Sequence, residues 1–242
     1  MKTIVFSKRN IKEIFRDPIS LIFCICLPLF LLIIFQQFNI PNSAFKISNF
    51  APSIVVFSFT FITLFCGTLV SKDRTSSLLS RLFTSPLKPH EFVLGYTLST
   101  IPLATVQSIL FLLISLFFGV EFNLNLILTI IISIPISMLF VGLGILIGCI
   151  FSDKQTPGIS SVLVQLVTFT SGMWFDINIM NNVFKSICNI LPFRYAVDLA
   201  RSFLSGNYSN ILAPILILLS YILIVYILTI IVFNKKIQSD NK

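Results

Sequence analysis

The chain has 242 residues, 56% of them hydrophobic and only 11% charged, against about 45–50% apolar and about 25% charged in soluble domains. No aqueous fold can hide that much apolar surface, so the composition excludes a soluble globular protein and marks an integral membrane one. A net charge of +8 would suggest nucleic acid as the partner of a soluble chain, but here Lys and Arg gather at the ends of apolar runs, where they set orientation in a bilayer.

Residues 4–17 open the chain as an amphipathic segment. Ile4, Ile11, Ile14 and Phe15 share one face, opposed by Lys8, Arg9, Lys12 and Arg16. The pattern predicts an interfacial helix on the cytoplasmic leaflet, ended by Pro18. The first 18 residues are charged throughout and no small-residue cleavage site ends the next apolar run, so no cleavable signal is expected. Six uncharged runs follow, and each can supply the ~20 helical residues needed to cross ~30 Å of hydrocarbon. They place spans near 19–38, 51–71, 93–118, 126–150, 157–175 and 211–233. Backbone polar groups must be paired internally in lipid, so helices are required.

Between the second and third spans lies a polar segment, 72–91. Read as a helix from Thr75, it puts Leu78, Leu79, Leu82 and Phe83 on one face, with Lys72, Arg74 and Arg81 around it. Pro86 and Pro89 break the helix and Glu91 closes the segment. Too short to span, it is expected at the cytoplasmic interface, where a soluble partner can reach it. The connection 176–210 holds two apolar stretches, Ile177–Val183 and Ile187–Phe193, each also too short to span. They read as short re-entrant helices. Thirteen Lys and Arg fall in the N-terminal segment, the 72–91 loop, the 152–156 loop and the tail, against four in the alternate connections. By the positive-inside rule both termini are cytoplasmic. With no internal repeat or linker, residues 1–242 read as a single all-α membrane domain.

Little here can be catalytic. His90 is the only histidine, whereas a zinc site needs several ligands, so a solvated interfacial residue is the ordinary reading. Cys24, Cys26, Cys66, Cys149 and Cys188 show no C-x-x-C spacing and read as small packing residues. No P-loop motif occurs, so the chain is not expected to hydrolyse ATP. None of the six runs contains Asp, Glu or Lys, which argues against an ion-coupled secondary transporter.

Polarity within the spans is uneven. Gly158, Ser161, Gln165, Thr168 and Gly172 share one face of the fifth span, while Val162, Leu163, Leu166, Val167 and Phe169 take much of the rest. Thr60, Thr63 and Gly67 form a similar face in the second span, beside a stripe of Phe57, Phe61 and Phe65. Ordinary helix packing explains both polar faces; the sharper alternative is a path at a dimer axis. The phenylalanines read as lipid-facing, and Gly144-x-x-x-Gly148 as a close-packing motif. Glu121, Asp176, Arg194, Asp198 and Arg201 gather at the outer face as loop charges, with Asp198 and Arg201 spaced for an i, i+3 pair.

Two stretches carry a family resemblance. Arg81-Leu82-Phe83-Thr84-Ser85-Pro86-Leu87, then Glu91, then Leu94-Gly95-Tyr96 resembles the segment after the second span of type-2 ABC exporter permeases. Ser77-Leu78 stands where that family usually has Gly-Thr. Ser171-Gly172-Met173-Trp174-Phe175, Leu191-Pro192, Tyr195-Ala196 and Asp198 to Arg201 resemble its region before the last span, with Asp176 where proline is frequent. The resemblance covers about residues 70–203. It implies a coupling helix contacting the ATPase through Leu78, Leu79, Arg81, Leu82, Phe83, Pro86 and Glu91. It also implies a pathway or dimer axis flanked by spans two and five, hence by Thr60, Thr63, Ser161, Gln165 and Thr168. The implied assembly is a permease dimer, of two copies or with a sister permease, in the cell membrane with two ATPase subunits. Those subunits would carry ATP and Mg, leaving no cofactor in this chain. The sequence does not name the cargo; the apolar spans incline the expectation towards a hydrophobic or amphipathic one, a drug, antibiotic, peptide or lipid-like molecule. A secondary transporter and a non-transporting membrane anchor remain the alternatives.

Overall fold

The computed structural model describes residues 2–38, 40–76, 88–175 and 177–240, which form helices and no strand. Helix α1, Lys2–Arg16, is amphipathic; only Asp17 separates it from α2, Pro18–Gln37. Asp17 caps α2, its carboxylate accepting from the Ser20 N–H at 3.2 Å and the Ser20 hydroxyl at 2.8 Å. Pro18 takes the first helical position, where no N–H is needed. A 3₁₀ turn, Ser43–Phe45, leads into α3, Ile47–Thr75. Then come α4 (Pro89–Leu116), α5 (Leu124–Ile150) and α6 (Thr156–Thr170). A second 3₁₀ turn, Ile177–Ile179, precedes α7 (Asn182–Ile190), α8 (Pro192–Ser205) and α9 (Leu212–Asp240).

Five of these helices, α2, α3, α4, α5 and α9, are long and apolar enough to cross a membrane. Helix α6 falls short of the expected 157–175. Its 15 residues rise about 22 Å, less than the ~30 Å of hydrocarbon. The chain leaves the helix because Gly172 takes a left-handed φ of +71°, a conformation that ends helices. The second span runs longer than 51–71: Lys72, Asp73, Arg74 and Thr75 extend α3 and do not begin a loop. The expected stretches 177–183 and 187–193 are redrawn as well. Pro192 lacks the N–H that a helix interior would use and suits a first turn, and it opens α8 at the first position. Gly206, at φ +72°, closes α8.

Helix α3 is the centre of the bundle. Its apolar window is 83% buried, against 17% for α2 and 22% for α9, which lie at the periphery of the bundle. The closest packing is with α5. A Cβ on Gly144 would lie 2.6 Å from the Thr63 carbonyl oxygen, and one on Gly148 would lie 2.5 Å from that of Gly67. Thr63 completes the crossing by donating its hydroxyl to the Phe140 carbonyl at 2.8 Å. The two glycines therefore have a specific task, bringing the backbones together. The expected lipid-facing role of the phenylalanines is corrected: Phe57 and Phe65 are buried, because a central helix meets protein on most of its sides. Other spans are joined by sparse polar links. Gln107 of α4 donates to the Cys24 carbonyl of α2 at 2.9 Å, and Thr97 of α4 meets the Tyr226 hydroxyl of α9 at 3.0 Å.

Candidate functional site

The site is built where α3 and α4 end on either side of residues 77–87. Helix α1 folds onto that junction with Phe6, Asn10 and Ile14 inward, at i, i+4 and i+8. This is not the face expected from Ile4, Ile11, Ile14 and Phe15, since Ile4 and Phe15 are exposed. The helix has a second apolar side, turned to protein, that the basic residues disguise. Phe6 makes edge-on contacts with Phe92 (centroids 5.2 Å apart) and Tyr96 (5.0 Å) of α4. It fits only because Gly95 has no side chain: a Cβ there would lie 2.4 Å from the Phe6 ring.

Beside this contact lies a buried ionic cluster. Arg9 of α1 grips Asp73 of α3 with both terminal nitrogens, at 2.5 and 2.8 Å. The Tyr96 hydroxyl of α4 donates to the same carboxylate at 2.9 Å. Asp73 is only 5% exposed, and a group so buried is costly unless its hydrogen-bonding partners are in place. Burial by itself lowers the Arg9 pKa, but the hydrogen bonds and charge of Asp73 outweigh it and raise the net value, so Arg9 stays a cation. One residue on, Arg74 donates to the carbonyls of Cys149 and, at 2.9 Å, Phe151. A cation there satisfies the open end of α5 and its dipole. At the start of α4, Glu91 accepts from the Lys88 N–H at 2.7 Å and so caps the helix. The inner ends of α1, α3, α4 and α5 are thus tied together.

The opposite end is held by Arg201 of α8. It donates to the Asn49 carbonyl at 3.1 Å, the Ser53 hydroxyl at 2.9 Å and the Gly172 carbonyl at 3.1 Å. Arg194 pairs with Asp198 at 3.4 Å. Trp174 packs among Phe35, Phe45 and Phe50.

The family model for ABC-2 type transporters matches residues 1–205. The chain belongs to the ABC-2 type transporter family. A relative among characterised proteins, ABC transporter G family member 20 of Dictyostelium discoideum, is 28% identical over 204 residues, 81% of this chain. The chain spans only 28% of that protein's length.

The junction that α1, α3 and α4 form around residues 77–87 is the candidate functional site. Of the residues expected there, Leu78, Leu79, Arg81, Leu82, Phe83 and Pro86 lie outside the described residues, and Glu91 is a helix cap. Sequence reasoning missed Phe6, Arg9, Asp73 and the tasks of Gly95 and Tyr96. Asp73 carried a usable signal: it is a lone acid two residues past the end of a long apolar run, between Lys72 and Arg74.

The expected pathway residues divide into two sets. Thr60 and Thr63 are buried in α3 and bond the carbonyls of Phe57 and of Phe59 and Phe140. Ser161 and Gln165 of α6 are exposed, and Thr168 is half-buried. Ser161 and Thr168 bond their own helix, at the Pro157 and Val164 carbonyls. Helix α6 turns Ser160, Val164, Val167 and Thr170 inward. His90 is exposed, and the described residues include no cluster able to hold a metal.

Proposed function

We propose that this ABC-2 membrane domain is the permease subunit of an ATP-driven exporter that moves hydrophobic or amphipathic molecules outward across the cell membrane. Two copies of a separate ATPase supply the energy, and the permease works as a pair, with a second copy or a sister chain. Both termini and residues 72–91 face the cytoplasm; 39–50, 120–125 and 176–210 face outward.

The observation that carries the coupling part is the three-way bond of Asp73 to Arg9 and Tyr96. A force on residues 77–87 enters the bundle through Ser76 and Lys88. The helices on either side are fastened to each other by Asp73 and Tyr96, to α1 by Arg9 and to α5 by Arg74. They therefore tilt together and carry the interfacial helix with them. Closure of the ATPase pair then shifts the span equilibrium to the extent that it binds the two arrangements unequally.

The pairing part is supported by α6. Gln165 is exposed, and a carboxamide at bilayer depth favours protein or water over lipid. The test replaces Leu82 and Phe83 together by Asp, in complex with the cognate ATPase in proteoliposomes. Membrane insertion persists while transport and its stimulation of ATP hydrolysis are lost; full co-purification and transport by this variant would overturn the proposed contact.

A further inference from the structure

We infer that the elbow of α1, α2 and α4 is a binding site for one anionic phospholipid of the leaflet in which α1 lies. A cavity of about 190 Å³ opens there between the three helices. Its walls are Ile11 and Phe15 of α1, Leu21 and Ile25 of α2, and Pro102 and Val106 of α4, among others. The one hydroxyl in the lining, that of Ser99, is turned to the Tyr96 carbonyl at 2.7 Å. The cavity thus offers an acyl chain an apolar wall with no free polar group. Phe15 is 73% and Val106 53% exposed, so the groove opens sideways, towards lipid.

Charge selects the headgroup. Lys8 and Lys12 stand one turn apart, not opposite Ile11 and Phe15 as the basic face was expected to lie but along the border of their face, and both are exposed. The other two basic residues of α1 beyond Lys2 are engaged, Arg9 with Asp73 and Arg16 with Glu13. Lys8 and Lys12 join no ion pair among the described residues. Two like charges at i and i+4 repel each other, and an anionic headgroup between them removes that repulsion. That border presents lysines beside an apolar groove, the arrangement in which a long basic side chain reaches the headgroup while its neighbours hold the chain.

The test uses the purified full-length chain in mild detergent, incubated with equal amounts of dioleoyl phosphatidylglycerol and dioleoyl phosphatidylcholine. Retained lipid is counted by native mass spectrometry. The wild type retains one phosphatidylglycerol, roughly thirtyfold over phosphatidylcholine, the order expected of two lysines at an anionic surface. Lys8→Gln with Lys12→Gln removes the preference, and Val106→Trp, which fills the groove from its exposed rim, removes retention of both lipids. A phosphatidylglycerol with a diazirine in its acyl chain labels residues 98–106 in the wild type and not in Val106→Trp. Equal retention of the two lipids by the wild type, an unchanged preference in the lysine variant, or labelling elsewhere would each overturn the site. No ATPase is present in the assay, so its outcome is independent of the coupling contact proposed above.

Discussion

Asp73 is buried and Arg9 is part-exposed, which makes the two sides of the pair unequal under mutation. Removing Arg9 leaves a buried carboxylate with only Tyr96, whereas Asp73→Asn leaves Tyr96 an acceptor and Arg9, with 32% of its side chain exposed, a way to water. Arg9→Ala should therefore cost roughly 3 kcal/mol or more, the usual penalty for orphaning a buried charge. Asp73→Asn should cost less, and Arg9→Met with Asp73→Leu should recover much of the loss. Thermal unfolding of the detergent-solubilised chain ranks the three. Glycine gives a second contrast. Gly148→Val drives a side chain into the Gly67 carbonyl and Val70, an overpacking worth about 1–3 kcal/mol. Gly158→Ala meets nothing within 4 Å and should gain up to about 1 kcal/mol in helix propensity. Equal melting points for these two variants would contradict the α3–α5 crossing. The Gly144–Gly148 spacing was legible in the sequence as a packing motif, but its partner was not. Nothing in one chain's pattern says that Thr63 and Gly67 lie opposite.

At the scale of elements, five of the six apolar runs coincide with long helices among the described residues, because lipid permits nothing else of that length. Their ends were less legible. Hydropathy sees the charges of Lys72–Arg74 as the end of a span, yet α3 continues because Asp73 and Arg74 find buried partners. Hydropathy likewise runs through Gly172, where the backbone turns left-handed and α6 stops. The polar face of α6 was legible from its spacing alone, and it is exposed apart from half-buried Thr168; Gly172, expected on the same face, is buried beyond the end of the helix. Val167, grouped with the apolar remainder of that helix, is fully buried. If the polar face meets a second permease, Ser161→Trp should abolish transport, while Val162→Trp, 64% exposed in the wild type, should leave most of it. Val167→Trp should fail earlier, by unfolding the α3–α6 contact. Disulfide crosslinking between protomers should be stronger for Gln165→Cys than for Leu166→Cys. The reverse order would mean that a different face of α6 lies at the axis.

For the whole molecule, the proposed orientation rests on one count: thirteen Lys and Arg on one set of connections against four on the other. The fold makes that count mechanically meaningful, because α1 and the inner ends of α3, α4 and α5 are bound into one cluster and must lie on one side. Arg201 and Trp174 fasten the opposite end. An ATPase can act on that inner cluster only from the cytoplasm, so a reversed orientation would remove the motor contact and the proposed lever together. Ser43 and Ser76 report the two sides, since both are exposed and lie at opposite ends of α3. The native thiols interfere little: Cys24, Cys66, Cys149 and Cys188 are buried, and Cys26 alone is exposed. Replacing Cys26 by Ala therefore gives a quiet background without disturbing the α3–α5 crossing. In intact cells, Ser43→Cys should react with an impermeant maleimide and Ser76→Cys should react only after permeabilisation. Labelling of Ser76→Cys in intact cells, with Ser43→Cys protected, would place residues 72–91 outside and rule out ATPase coupling through them.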